Sequence, residues 1–408
     1  MTALRNTKRS STENIMDICK HNHFCGGCLH QGKTYDYQLA WKEEILRSCL
    51  KENGLTCPRI DPIEGSPSMY RYRNKMEYTF GDMEKGGEMT LGMHQKKRYM
   101  SVITVDECQL VDEDFNKVLR ATLDFCIEKG YTKYHKKTHE GLMRHLIVRK
   151  GYHTHELLIN IVTSTDGSFD EEHYCNTIRA LSLDNELVGI IHTLNDHIAD
   201  KVTCEEMRIL FGRDYYMEKI MGLDFKVSAF SFFQTNVEAV ERLYSEALSL
   251  IDDFGGKEVM DLYCGAGTIT QTLALKARHV TGVEIVDDAV ESARKNAEIN
   301  NLGNCDFVAG DVLEVLRGIK DGTRKDIPAP DVIVVDPPRV GVHPKALDLI
   351  AGYGVPQILY ISCNPKTLCQ NIKYLEPYGY KAVYMKPFDN FPMTKHVETV
   401  VLMSKVKD

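Results

Sequence analysis

The sequence lacks an apolar run long enough to cross a membrane, and its first residues, MTALRNTKRSSTEN, lack the apolar core of a signal peptide. It has a single tryptophan, Trp41, and no internal repeat or low-complexity tract. An excess of positive charge is also missing, because 50 Lys and Arg residues face 58 Asp and Glu residues, which gives a net charge of −8. We therefore expect a cytoplasmic protein without a membrane partner. If the protein binds a polyanion such as a nucleic acid, a local cluster of Lys and Arg residues must contact it.

Length and composition indicate a globular protein of more than one domain. The chain of 408 residues exceeds one ordinary hydrophobic core, and its 43% apolar and 26% charged residues are typical of soluble proteins. We expect a disordered basic tail over residues 1–14, an α+β domain over 15–230 and an α/β domain over 231–408. Strand–helix alternation in the last region predicts a doubly wound, mainly parallel sheet.

Local patterns predict several elements of the first domain and of the domain junction. Apolar residues at helical spacing predict helices over residues 35–52, 112–129 and 237–251. Between residues 129 and 153, seven Lys and Arg side chains face one acidic residue, Glu140. This stretch is the best candidate for phosphate contacts, and a solvated basic face is the alternative interpretation.

Clustered cysteines indicate a metal centre. Thirteen cysteines are many for a reducing compartment, where disulfides are rare. Cys19, Cys25 and Cys28 lie in one short loop with two glycines, so their thiolates can point toward a common metal. Cys108 can complete a four-thiolate site, which suits zinc as well as a [4Fe–4S] cluster. A zinc site can instead be completed by histidines from His21, His23 and His30.

A glycine-rich turn in the second domain predicts a nucleoside-type cofactor. Residues 257–284 read as strand, tight turn, helix and strand, with Gly265 and Gly267 in the turn and Glu284 at the tip of the second strand. Glycines allow close approach of the backbone to a ligand, and the acid suits a ribose diol. The pattern D-L-x-C-G-x-G followed by V-E favours S-adenosylmethionine (SAM) over a dinucleotide or a ligand-free structural turn.

Four further side chains lie at predicted strand ends or starts near this cofactor: Asp311, Asp336, Cys363 and Glu398. Carboxyl ends of parallel strands are where such sheets bind ligands. Cys363 is either a small apolar filler or a nucleophile. A thiolate is what methylation of an unactivated pyrimidine C5 requires, because sulfur addition at C6 makes C5 nucleophilic. A base must then remove the C5 proton, and Glu398 can face the same cleft.

These motifs together resemble the signatures of the RNA (uracil-5-)-methyltransferases. The resemblance covers nearly the entire chain. It is carried by the segments FFQTN, DLYCGAG, DPPRVG, ILYISCNPKT and FDNFPMTKHVE, and by the cysteine pattern.

The resemblance implies a role for each matching residue. Cys363 matches the nucleophile, and Glu398 matches the base that takes the C5 proton. The residues matching SAM contacts are Gln234, Tyr263, Thr268, Glu284, Asp311 and Asp336. Gln234 and Asp336 are also expected near the target uracil. The residues matching the ligands of a [4Fe–4S] cluster are Cys19, Cys25, Cys28 and Cys108.

The resemblance also implies a substrate class. The iron–sulfur branch favours 23S rRNA, whereas the N-terminal TRAM domain of many rRNA-modifying members is not expected here, which leaves the tRNA T-loop as the alternative. Met393 and Thr268 depart from the usual residues at their positions. We expect a monomeric enzyme that forms 5-methyluridine in structured RNA without an obligate protein partner. An RNA cytosine-5 methyltransferase and a non-catalytic RNA-binding protein are the competing hypotheses.

Overall fold

The computed structural model describes residues 18–198, 204–251 and 253–406. The basic tail expected over residues 1–14 lies outside them. No helix in these ranges is both long and apolar enough to cross a membrane. The helices are α1 Tyr35–Glu52, α2 Glu113–Glu128, α3 Glu171–Arg179, α4 Val237–Ser249, α5 Thr268–Ala274, α6 Asp287–Ile299, α7 Val312–Asp321, α8 Pro344–Tyr353 and α9 Pro365–Leu375. The helices predicted from sequence over residues 35–52, 112–129 and 237–251 correspond to α1, α2 and α4.

A mixed sheet of seven strands forms the first half of the chain. Its strands are β1 Lys75–Asp82, β2 Met89–Gln95, β3 Arg98–Thr104, β4 Met143–Lys150, β5 Glu156–Thr163, β6 Glu186–Leu194 and β7 Glu206–Gly212. The spatial order is β3-β2-β1-β4-β5-β6-β7. Only β5 and β6 are parallel neighbours. Both central strands β4 and β5 are buried along almost their whole length, with α2 and α3 packed on the sheet.

A second seven-stranded sheet carries the predicted α/β arrangement. Its strands are β10 Glu258–Leu262, β11 His279–Glu284, β12 Cys305–Ala309, β13 Val332–Val335, β14 Gln357–Ser362, β15 Tyr380–Phe388 and β16 Glu398–Lys405. The order is β12-β11-β10-β13-β14-β16-β15, and the first five strands run parallel. Helices between successive strands confirm the doubly wound topology. The last strand, β16, lies between β14 and β15 and is antiparallel to both.

Two segments join the sheets. The hairpin of β8 (Tyr215–Ile220) and β9 (Leu223–Ser228) shares one apolar core with strands of both sheets. Helix α1 begins after Thr34, whose hydroxyl accepts a backbone N–H of the first turn. Its Leu46 and Leu50 are buried against the second sheet's helices. Ile60 then forms a β-bridge with Met385, so this N-terminal segment covers the β15 edge.

Candidate active site

The register of the second sheet brings Cys363 and Glu398 together. Strands β14 and β16 are antiparallel, and Ser362 pairs with Thr399 at the end of the ladder. One step further, Cys363 stands opposite Glu398, the first residue of β16. Directly opposite residues have Cβ atoms about 5 Å apart. Cys363 is partly exposed, whereas Glu398 is buried, so solvent reaches the thiol more easily than the carboxyl group.

The charges around this pair govern its ionisation. Burial raises the pKa of the Cys363 thiol to about 11, and the nearby carboxylates of Glu398 and Asp336 act in the same direction, whereas Arg339 opposes them. Burial also raises the pKa of Glu398 to about 8, with Asp336 adding to the rise and Arg339 and Lys42 opposing it. A carboxyl group with such a pKa can gain or lose a proton near neutral pH.

Hydrogen bonds connect the DPPR loop after β13 with the segment that follows Cys363. The backbone carbonyl of Arg339 accepts hydrogen bonds from Asn364 Nδ2 at 2.9 Å and from Thr367 Oγ1 at 3.3 Å. Asn364 also caps α9. Burial raises the pKa of Asp336 to about 7. These contacts fix a carboxyl group and a guanidinium beside the cysteine.

The glycine-rich turn has the backbone conformations that its sequence predicts. Gly265 and Gly267 have φ angles of 53° and 77°, and a Cβ on Gly267 would meet the Phe307 ring at 2.7 Å. Tyr263 adopts a φ of 68°, which is rare for an aromatic residue. Residues with such strained backbone conformations cluster at functional sites. The carboxylate of Glu284 accepts the Gly265 N–H at 3.1 Å. Glu284, at the end of β11, therefore fixes the backbone of the glycine-rich turn through this hydrogen bond.

Asp261 is a candidate site residue that the sequence reasoning missed. It is fully buried at the end of β10, and one of its oxygens accepts a hydrogen bond from Thr270 Oγ1 at 2.6 Å. The other carboxylate oxygen has no partner among the described residues. Such an unpaired buried acceptor is costly and calls for a donor such as an ammonium group. The D-L-x-C-G-x-G motif itself was the signal that could have identified it.

The remaining predicted cofactor contacts surround the same turn. Gln234 Nε2 donates to Tyr244 Oη at 3.4 Å, and this hydroxyl lies 3.0 Å from Thr268 Oγ1. Asp311 caps α7 by accepting two backbone N–H groups on one oxygen. Its charge also helps to raise the pKa of Tyr263, so these two residues are neighbours. All six residues predicted to contact SAM thus lie on the turn, on adjacent strand ends or on the segment before α4.

The turn between β15 and β16 is anchored by helix α1, which the sequence reasoning did not connect with the site. Buried Lys42 donates to the Asp389 carboxylate and, at 2.9 Å, to the Phe391 carbonyl. The Met393 N–H donates to Gln38 Oε1 at 2.8 Å. Two fully buried polar residues one helical turn apart therefore hold the turn that leads into the candidate base.

The four cysteines predicted as ligands lie close together. Cys19, Cys25 and Cys28 fall in the loop before α1, and Cys108 follows β3. Burial, together with the charges of the other three thiolates, raises the pKa of Cys28 to about 12. Such mutual repulsion is what a cation among the thiolates would relieve. Within the described ranges, however, no set of three or more His, Cys, Asp or Glu side chains is already arranged to hold a metal ion.

The histidines of the alternative zinc site have other contacts. His21 Nε2 accepts the Glu107 N–H at 3.3 Å. His30 is buried with its ring edge-on to Trp41 at 4.7 Å, and His23 is exposed. Nε2 of His30 has no hydrogen-bond partner among the described residues, so a zinc site with a histidine ligand stays the alternative.

The basic stretch predicted to contact phosphate is largely committed to internal contacts. Arg144 and Arg149 are buried. Three of its lysines form ion pairs with aspartates: Lys129 with Asp170, Lys133 with Asp82 and Lys150 with Asp112. The two remaining cations are Lys136 and Lys137. The predicted phosphate contacts are therefore narrowed to the loop that contains Lys136 and Lys137.

The chain is similar to known proteins along most of its length. Residues 34–406 match the family described as tRNA (Uracil-5-)-methyltransferase. A protein of Clostridium tetani described as an uncharacterized RNA methyltransferase is 47% identical over 377 residues, which cover 92% of this chain and 81% of that protein. A protein of Clostridium acetobutylicum with the same description is 44% identical over 387 residues, covering 95% and 83% of the two chains.

One solved structure is similar over most of the fold. It is the tRNA (uracil-54, C5)-methyltransferase of Pyrococcus abyssi in complex with S-adenosyl-L-homocysteine. The TM-score is 0.74 with 26% sequence identity, and the match covers 93% of this chain and 86% of that one.

Proposed function

The chain belongs to the family of tRNA (uracil-5-)-methyltransferases and is an RNA methyltransferase, and we propose that it methylates C5 of one uridine in 23S rRNA. The observation that supports the reaction is that Cys363 and Glu398 follow directly on the last pair of the β14–β16 ladder, Ser362 and Thr399, and that the charge of Glu398 acts on the Cys363 thiol. A thiol and a carboxyl group across one ladder step are the nucleophile and the base that C5 methylation needs.

The residues around the glycine-rich turn fit SAM, and the Pyrococcus abyssi relative was solved with S-adenosyl-L-homocysteine. Glu284 would accept the ribose hydroxyls, and the unpaired oxygen of Asp261 would accept the ammonium group. Tyr263 and Asp311 would flank the adenine, with Gln234, Thr268 and Asp336 completing the site. When bound, SAM supplies the methyl group that C5 acquires.

The protein's own groups perform the remaining steps. The Cys363 thiolate adds to C6 of the uracil, which forms an S–C6 bond and makes C5 nucleophilic. After C5 has gained the methyl group, Glu398 removes the C5 proton. The C5–C6 double bond forms again, the S–C6 bond breaks, and Cys363 leaves as thiolate. Gln234 and Asp336 would hold the uracil edge, and the target base would leave its stack to reach them.

We further propose that Cys19, Cys25, Cys28 and Cys108 hold a [4Fe–4S] cluster. Four half-buried thiols in one region support this assignment, and zinc is the competing metal. Iron and acid-labile sulfide in equal amounts are expected in protein purified without oxygen. Zinc without sulfide would overturn the cluster.

The substrate RNA has one alternative. The solved relative is a tRNA methyltransferase acting at uracil 54, so the tRNA T-loop is the second candidate. Mass spectrometry of nucleosides from separated 23S rRNA and tRNA of a strain lacking this gene decides between them. Loss of 5-methyluridine from the 23S fraction supports the proposal, and loss from tRNA supports the alternative. Loss of 5-methylcytidine, or of neither nucleoside, contradicts both.

A further inference from the structure

The tip of the β2–β3 hairpin combines an exposed aromatic ring with three consecutive cations. The side chain of Tyr99 is 64% exposed, and its ring is stacked on His94 with centroids 4.9 Å apart and an interplanar angle of 16°. Lys136 lies over the same ring at 5.1 Å. We call Lys96, Lys97, Arg98, Tyr99 and Lys136 the hairpin platform. The Tyr99 ring therefore contacts His94 and Lys136 and is still more than half exposed to solvent.

The cations of the hairpin platform differ from those of the basic stretch. Lys96, Lys97 and Arg98 are all exposed, and none takes part in an ion pair in the described part of the chain. By contrast, most cations between residues 129 and 150 are buried or paired with aspartates. Adjacent unpaired cations beside an exposed ring are the features that single-stranded nucleic acid requires, because phosphates meet the charges and a base stacks on the ring.

The hairpin platform is linked to the candidate active site through the cysteine loop. The Lys96 N–H donates to the Phe24 carbonyl at 2.7 Å, and Gln95 forms a β-bridge with Cys25. At the other end of the same loop, the Leu29 N–H donates to the Met393 carbonyl at 2.7 Å. Met393 belongs to the turn that leads into Glu398. Hydrogen bonds through the cysteine loop therefore connect the hairpin platform with the turn that leads into Glu398.

We infer that the hairpin platform binds the substrate RNA away from the target uridine, with one unpaired base stacked on Tyr99 and adjacent phosphates on Lys96, Lys97 and Arg98. This inference rests on the proposed function only in taking RNA as the substrate. It also gives the cysteine loop a physical role, since that loop holds the hairpin platform at a fixed position relative to Glu398.

The test compares RNA affinity among matched variants. The probes are protein-free 23S rRNA and total tRNA from the strain lacking this gene, and the variants are Tyr99→Ala, Tyr99→Phe and the double variant Lys96→Ala with Lys97→Ala. Loss of one stacked base weakens binding about 5-fold to 100-fold, so Tyr99→Ala is expected in this range for the substrate RNA. Tyr99→Phe keeps the ring and should bind like the unmodified protein. The double lysine variant should also show a smaller dependence of affinity on salt.

The control residues lie just before and at the start of β15, which is the edge strand of the second sheet. Tyr378 and Lys381 are exposed, and Lys381 is level with the amino end of β14, far from the carboxyl ends that carry the site. Tyr378→Ala and Lys381→Ala should not change RNA affinity, and SAM affinity and melting temperature should stay constant in all variants.

The outcomes separate this inference from the proposed function. Unchanged RNA affinity in Tyr99→Ala, or an equal loss in Tyr378→Ala, overturns the role of the hairpin platform even if the enzyme methylates uridine normally. A selective loss in Tyr99→Ala supports it even if the modified nucleoside proves to be other than 5-methyluridine.

Discussion

Cys363 and Glu398 impose an order on the proposed reaction, because the carboxylate of Glu398 raises the pKa of the thiol beside it. Two adjacent anions in a partly buried site are unfavourable. Once the sulfur has bonded to C6, its negative charge has moved into the uracil ring, and Glu398 can be deprotonated without that repulsion. Arg339 lowers the pKa of both groups and so favours the ionised form of each. The Arg339 guanidinium thus favours both the thiolate that adds to C6 and the carboxylate that removes the C5 proton.

The first prediction concerns pH. Because Glu398 acts as a base only when deprotonated and its pKa is raised to about 8, the rate should rise with pH and bend near pH 8. A carboxyl group with an ordinary pKa would already give a plateau above roughly pH 6. Release of the C5 proton, measured as tritium released from RNA that carries 5-tritiated uridine, at constant ionic strength from about pH 6 to about pH 9 checks this. A rate that is constant over the range, or one without a bend, would contradict the assignment.

The second prediction concerns the covalent step. Glu398→Gln keeps the size of the side chain but cannot accept the C5 proton, so the adduct between Cys363 and methylated RNA should persist. Turnover should fall by about 10²-fold to 10⁴-fold, and a protein–RNA band should survive denaturing electrophoresis. Cys363→Ala is the matched control, which should give no band and no turnover while RNA affinity stays within a few-fold. A band in Cys363→Ala would identify another nucleophile.

At the scale of elements, the turn before β16 depends on helix α1 rather than on its own sequence. The Lys42 ammonium is completely buried against the Asp389 carboxylate, and burial lowers its pKa while Asp389 opposes the change. A buried ion pair is costly to break because the remaining charge loses its partner without regaining water. The position of Glu398 is therefore tied to a residue more than 350 positions earlier in the chain.

The third prediction tests this anchor. Lys42→Met should lower the free energy of unfolding by about 3–5 kcal/mol, as measured by urea denaturation. Because Lys42 also lowers the pKa of Glu398, the bend in the pH–rate profile should move to higher pH. Lys51→Met is the control, since Lys51 is exposed on the same helix. If both variants are equally stable and keep the same pH profile, Lys42 does not anchor the turn.

Helix α1 shows how far the sequence could predict the structure. The spacing of its apolar residues predicted both of its ends, because the helical period and the following Asn-Gly stop are local signals. Its packing against the second sheet was not predictable, because buried Gln38 and Lys42 find their partners in a distant turn. The basic stretch could be predicted only in part, for the same reason. Charge counting cannot show which lysines meet aspartates from other strands.

In the candidate site, too, some residues could be predicted from local motifs, whereas others depend on contacts between distant parts of the chain. The residues Cys363, Glu398 and Glu284 could be proposed from motifs, since each stands at the end or start of a recognisable strand. Asp261 was missed although it belongs to the D-L-x-C-G-x-G motif, and its buried oxygen without a partner is visible only in the fold. The position of β16 between β14 and β15 was also unpredicted, although it is this order that places Glu398 beside Cys363.

At the scale of the whole molecule, the boundary proposed near residue 230 separates two sheets, but two apolar cores contain residues from both sides of it. One apolar core contains Leu158 and Ile191 of the first sheet together with Val259 of the second. Another contains Leu46 and Leu50 of α1 together with the helices of the second sheet. The two halves therefore bury apolar surface against each other, and a rigid junction of this kind would fix an RNA-binding surface relative to the catalytic pair.

The fourth prediction follows from these shared cores. A fragment of residues 231–408 contains every proposed catalytic residue, but it exposes the apolar surface that α1 and the first sheet cover. We expect it to aggregate or to bind a hydrophobic dye, because large exposed apolar patches are unstable in solution. The full chain, as control, should unfold in one cooperative transition that SAM shifts to higher temperature, since ligand binding stabilises the folded state. A fragment that is monomeric in gel filtration, melts cooperatively and binds SAM would show that the second sheet folds independently and that the shared cores are dispensable.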